Sequence, residues 1–219
     1  GHAFSTVNKI KLVLKQIYNQ AVEDDIVKKN IINRISMPTN NSPKVHALTK
    51  EEQKKVEKIA FEFEQGDLVV FLLHTGLRIG EALNLKWNDV DLNSKEIRIV
   101  KSKTSSGIRT IPLNNMALAI LQHRVEARKK GYVFQTVNGN PLNNNNRRLC
   151  QKVAKAAGVK SFSPHVCRHS FATRLLEKGA NMKTVADLLG HANVQMAMNV
   201  YSDVFPLLKE QTVSLLDED

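Results

Sequence analysis

Val7, Ile10, Leu14, Ile17, Tyr18 and Ala21 recur at the spacing of one helical face, so residues 6–22 predict an amphipathic helix with too few companions to make a domain. A polar stretch follows from Met37 to Ala47, with Pro38, Asn40, Asn41, Ser42 and Pro43, and reads as a linker. Thr49 with Glu52 three residues on is a capping-box signature, which starts a helix at Lys50 running to about Phe63. The apolar run Asp67 to His74 gives a buried helix that Gly76 breaks. Ile97 and Ile99, then Ile108 and Thr110, alternate around Ser105-Ser106-Gly107 and predict a hairpin. Beyond Pro112 the helical period returns at about 114–129, 143–157, 165–178, 182–189 and 193–200, and a last amphipathic helix carries Leu207, Leu208, Val213, Leu215 and Leu216. The pattern describes a mostly α domain with a small antiparallel β-sheet, an α+β class.

Composition narrows the partner. The 219 residues, 42% of them hydrophobic, suffice for one sizeable core with an appendage. A formal charge of +11 points to a polyanion. The distribution says more than the total, because residues 141–185 hold nine Lys or Arg against Glu177 alone, while the tail beyond residue 200 is acidic. Cys150 and Cys167 lack paired spacing, which argues against a disulfide framework and fits a reducing compartment. With no signal peptide and no apolar run long enough to span a bilayer, the chain is expected in the cytoplasm and away from membranes.

Four short strings carry candidate chemistry: HTGLRIGEALNLKW at 74–87, SPHVCRHSFAT at 163–173, LLGH at 188–191 and MNVY at 198–201. Cleaving a phosphodiester without a metal needs cations on the nonbridging oxygens, a nucleophile, and an acid for the departing alkoxide. Arginine suits the first task because its planar fork binds phosphate bidentately and keeps its charge. Arg78 follows Gly76 at a helix entrance, where backbone amides also favour an anion; pairing with Glu81 is its simpler role. His165 and Arg168 are three residues apart on one helix and so share a face, with helix capping as the alternative for His165. His165, Cys167 and His169 invite zinc, yet positions two apart on a helix diverge and nothing completes a tetrahedral set. His191 follows Gly190, so a helix C-cap is its bland reading, and Tyr201 in an apolar pattern would ordinarily be a core residue.

Taken in this order and spacing, the strings resemble those of the tyrosine recombinases, the phage-integrase family, over roughly residues 45–205. The resemblance implies that Tyr201 attacks the scissile phosphate to form a 3′-phosphotyrosyl link, that Arg78 and Arg168 hold the phosphate, and that His165 assists proton transfer. It further implies that His191 hydrogen-bonds the phosphate or the transition state, and that Lys103 on the hairpin protonates the 5′ oxygen, with Lys101 its rival. Glu81 would orient Arg78, and His169 would be structural. Neither ATP nor a metal cofactor is implied, since the covalent link conserves the bond energy.

The same resemblance divides the chain into residues 1–36, the end of an N-terminal core DNA-binding domain, a linker at 37–47, and a catalytic domain at 48–219 with a C-terminal docking helix. Its implied partners are double-stranded DNA and further copies of itself, a tetramer on DNA, as in integrases of phages and conjugative elements. Two departures bear on subgroup: Cys167 stands where many members have leucine, and Ser202-Asp203 follows the tyrosine in place of Thr-His. A type IB topoisomerase-like activity and a non-catalytic DNA-binding protein are the alternatives.

Overall fold

Two compact units, Gly1–Lys44 and Val45–Asp219, make up the chain in a computed structural model that describes residues 4–37, 46–100, 107–127, 130–142 and 146–191. In the first unit, helix α1 (Phe4–Glu23) is followed by a 3-10 turn at Ile31–Arg34. The Asn30 side chain pins that turn to the helix: Oδ1 accepts from the Ile32 amide at 2.9 Å, and Nδ2 donates to the Lys15 carbonyl at 2.9 Å and to Asn19 Oδ1 at 2.7 Å. Ile10, Val13 and Ile17 are 52%, 55% and 57% exposed, so the apolar stripe of α1 builds no core of its own.

The second unit is mostly helical. Its elements are α2 (Lys50–Ala60), α3 (Asp67–Thr75), α4 (Ile79–Asn84), β1 (Val90–Asp91), β2 (Glu96–Ile99), β3 (Arg109–Pro112), α5 (Asn115–Ala127), α6 (Asn146–Ala157), α7 (Pro164–Glu177) and α8 (Met182–Leu189). Helix α2 starts where the sequence places it. The Glu52 amide donates to Thr49 Oγ1 at 3.1 Å, and the Thr49 amide donates back to Glu52 Oε2 at 2.9 Å. It ends at Ala60, three residues before the expected Phe63, because the chain turns back at Gly66. A Cβ there would lie 1.7 Å from the Ala60 carbonyl oxygen, so glycine lets the two backbones touch.

Helix α3 is the centre of the domain. Residues Leu68 to Leu73 are all buried, and the helix packs against α2, α5 and α7. An element apolar on every side needs such surroundings, and burying a side chain such as Phe71 contributes about 2–3 kcal/mol. A second cluster of Ala172, Leu176, Val185, Ala186 and Leu189 joins α7 to α8.

The sheet has the order β1-β2-β3 and is antiparallel throughout. Ile97 pairs with Ile111 and Ile99 with Arg109. The hairpin is where it was expected, but its phase on the second strand differs: Ile108 precedes β3 and is 61% exposed, while Ile111 and the side chain of Arg109 are buried. Strand β1, two residues long, was not anticipated, being too short to show an alternation. The expected helices beyond residue 192, the hairpin tip with Lys101 and Lys103, and Tyr201 lie outside the described residues.

Candidate active site

Gly76 sets up the first arginine. It closes α3 in the left-handed conformation, φ 64°, its amide donating to the Leu72 carbonyl at 3.0 Å. A Cβ on it would meet the Phe171 ring at 2.4 Å. The chain then extends to Arg78 at the entrance to α4. Glu81, one turn on, takes the Arg78 amide on Oε2 at 2.9 Å and the Arg78 guanidinium on Oε1 at 2.8 Å. The anticipated partnership of Glu81 with Arg78 is therefore real. It orients the guanidinium without enclosing it, since the Arg78 side chain is still 40% exposed.

Helix α7 supplies the second arginine. Ser163 Oγ caps it by accepting from the Val166 amide at 3.4 Å, and Pro164 occupies the first turn, where a missing amide costs nothing. His165 is exposed at this entrance and Arg168 is buried one turn further on. Arg168 donates to the Gly76 carbonyl at 2.8 Å and to the Leu189 carbonyl at 2.5 Å. Arg78, Arg168, His165 and Pro164 line one cleft of ≈ 990 Å³, together with Lys86, Arg98 and Tyr132. Such a rim of cations suits a polyanionic strand.

The turn after α8 completes the cluster. Gly190 is left-handed at φ 64°, its amide reaches the Asp187 carbonyl at 2.9 Å, and the His191 amide reaches the Ala186 carbonyl at 3.0 Å, the bonding of a Schellman cap. The last carbonyls of a helix have no partners within it. Here three successive ones are each taken by a different arginine: Leu188 by Arg109 Nε at 2.6 Å, Leu189 by Arg168, and Gly190 by Arg78 at 3.1 Å. The negative end of α8 also favours this gathering of positive charge.

His191 is thereby fixed beside three guanidinium groups. Its partial burial, and then the charges of Arg168, Arg78 and Arg109, depress its pKa to about 4, so the ring is neutral at physiological pH. Its Nδ1 is buried without a hydrogen-bond partner among the described residues.

The sequence reading overlooked Arg109. Its side chain is 7% exposed and grips both oxygens of Glu81, at 3.1 and 2.9 Å, while also donating to the Gly107 carbonyl at 2.8 Å. Burial pushes the Glu81 carboxyl upward, but the bonds and charges of Arg109 and Arg78 outweigh it and the net shift is downward. Glu81 stays ionised and cannot serve as a proton donor at neutral pH. The signal available in sequence was a charged residue two positions before the inward-facing Ile111.

The residues of the zinc alternative sit in different surroundings. Cys167 is fully buried beside Cys150, where burial and then the neighbouring thiol push its own thiol well above the ordinary value, whereas His165 faces solvent. Among the described residues no group of three or more His, Cys, Asp or Glu is placed to hold a metal. His169 Nδ1 lies 3.4 Å from the Thr173 hydroxyl on its own helix.

Residues 38–206 match the model of the phage integrase family. The chain is 30% identical to a tyrosine recombinase XerC-like protein of Caldanaerobacter subterraneus subsp. tengcongensis, over 100% of this chain and 67% of that protein. It is 26% identical to the ICEBs1 integrase of Bacillus subtilis, with the same two coverages, 100% and 67%. Among solved structures, the Tn1549 transposon integrase in complex with a circular intermediate DNA superposes with a TM-score of 0.81 at 26% identity, over 92% of this chain and 76% of that one. With its helical domain, small antiparallel sheet and arginine-lined cleft, the chain belongs to the phage integrase family of tyrosine recombinases, enzymes that break and rejoin DNA in site-specific recombination.

Proposed function

We propose that this chain binds duplex DNA and recombines it through a 3′-phosphotyrosyl intermediate, with Tyr201 as nucleophile. The observation that carries the reading is the convergence of Arg78, Arg168 and His191 on the turn after α8, next to the cleft that His165 also lines. Arg78 and Arg168 hold the two nonbridging oxygens, where their charge counts most as negative charge builds in the transition state. Neutral His191 donates a hydrogen bond to that phosphate. His165 assists proton transfer at the tyrosine oxygen.

Tyr201 attacks phosphorus, the P–O5′ bond breaks, and Lys103 gives the departing 5′ oxygen its proton. A 5′ hydroxyl of the same or a partner strand reverses the step. The phenol is a weak nucleophile at neutral pH, since its ordinary pKa is about 10, and the arginine charges favour its ionised form. Residues 1–36 form the end of an N-terminal DNA-binding domain, 37–47 a linker and 48–219 the catalytic domain, whose last helix docks on a neighbouring copy in a tetramer on DNA. The enzyme acts in the cytoplasm, on the ends of a mobile element.

The test selects sites from a random-sequence pool of nicked duplexes by covalent capture, then assays them for strand exchange between two duplexes. Strand exchange is the expected result. Relaxation of supercoiled DNA without exchange would favour the topoisomerase-like alternative, and binding without any adduct would favour a non-catalytic protein. Arg78→Ala and Arg168→Ala are expected to lower capture by roughly 100–1,000-fold, with far smaller losses in binding.

A further inference from the structure

Arg109 is a buried cation outside the lining of the cleft, and its acceptors lie in three separate parts of the chain. Its Nη1 and Nη2 hold Oε1 and Oε2 of Glu81, Nη1 also reaches the Gly107 carbonyl, and Nε reaches the Leu188 carbonyl. Each acceptor belongs to a different part of the site. Glu81 carries Arg78 on its other side. Leu188 begins the turn whose next carbonyls bind Arg168 and Arg78 and whose end presents His191. Gly107 is the first described residue after the segment that holds Lys101 and Lys103.

A point charge would satisfy Glu81 alone. Only a planar fork with several fixed donors bridges a carboxylate and two carbonyls at once. We propose that Arg109 is a positioning residue for DNA cleavage, holding Arg78 and the His191 turn in register with the base of the lysine-bearing segment.

The proposal rests on the tyrosine-recombinase chemistry set out above and adds a residue that acts through Glu81 and the carbonyls of Gly107 and Leu188. Its mechanism is geometric. If the fork is lost, Glu81 keeps Arg78 but is released from β3 and from α8, so the phosphate-binding groups lose their common reference. Misplacement of reacting groups by an ångström costs about 100-fold in rate.

The test uses the full chain and nicked duplexes captured from the random pool, and measures adduct rate, DNA affinity and thermal unfolding for four proteins. These are the wild type, Arg109→Lys, Arg109→Met and the double variant Arg109→Met with Glu81→Gln. Arg109→Met leaves Glu81 buried with half its partners and is expected to unfold at a lower temperature. The double variant removes both charges of the pair, and is expected to recover thermal stability while its adduct rate stays about 100-fold below wild type, with DNA affinity little changed. Arg109→Lys keeps the charge but lacks the fork, and is expected to be folded and slow.

A double variant that recovers rate together with stability would overturn the positioning role and leave Arg109 a fold-stabilising residue. A fall in DNA affinity as large as the fall in rate would overturn it in favour of a phosphate contact. A wild-type chain that forms no adduct would overturn the chemistry beneath the proposal and the proposal with it.

Discussion

His191 shows how a single side chain acquires its role from neighbours. In sequence it is one histidine after a glycine, and nothing in that string states whether it is a cation or a neutral donor. In the fold, partial burial and three guanidinium groups hold its pKa at about 4 against an ordinary 6.5. The unfolded chain therefore binds a proton at this position more readily than the folded one. Stability from this residue is fully present above pH 6.5 and is lost as pH falls towards 4. Glu81, whose carboxyl is held below its ordinary 4.5, adds a second loss that begins below that pH. Denaturant unfolding of wild type and His191→Gln between these limits should show a shallower pH dependence in the variant. Parallel curves would mean that the ring does not face the arginines. Arg78, Arg168 and His165 were legible as candidates because they stand in compact motifs, whereas Arg109 was not, since its partners Glu81 and Leu188 are 28 and 79 residues away in sequence.

At the scale of elements, the sequence signals were strongest where local chemistry decides the outcome. Thr49 and Glu52 started α2 as expected, and Ser163-Pro164 starts α7 close to the expected residue 165, because a cap is made by residues within one turn. They were weaker where a distant contact decides. The end of α2 depends on Gly66 meeting Ala60, and the phase of β3 depends on its pairing with β2. Gly76 combines both kinds of constraint, because its positive φ is a local requirement and its contact with Phe171 is a tertiary one. Gly76→Ala is expected to cost about 2–3 kcal/mol of stability, from left-handed strain plus overpacking against the ring. It should also slow adduct formation, since its carbonyl is an acceptor for Arg168. Denaturant titration checks the first effect. A loss under about 0.5 kcal/mol, the ordinary range for an inconsequential surface change, would contradict it.

For the molecule as a whole, three separate stretches of chain meet at one helix end: the turn after α3, the entrance of α7 and the sheet hairpin all send an arginine to the carbonyls that close α8. Gathering three like charges is costly in isolation. The helix terminus, Glu81 and, on the reading proposed, a DNA phosphate are what make the gathering favourable. The arrangement also explains why the family resemblance was legible before the fold was known, since the stretches with Arg78 and Arg168 and the turn with His191 each keep a short motif. The measurement that tests the central claim most directly is covalent capture on a nicked duplex in excess EDTA, comparing wild type with Tyr201→Phe. Wild type is expected to form an SDS-resistant adduct with the chelator present, and the variant to bind the same DNA without forming one. An adduct that persists in Tyr201→Phe, or one that EDTA abolishes in wild type, would contradict the account.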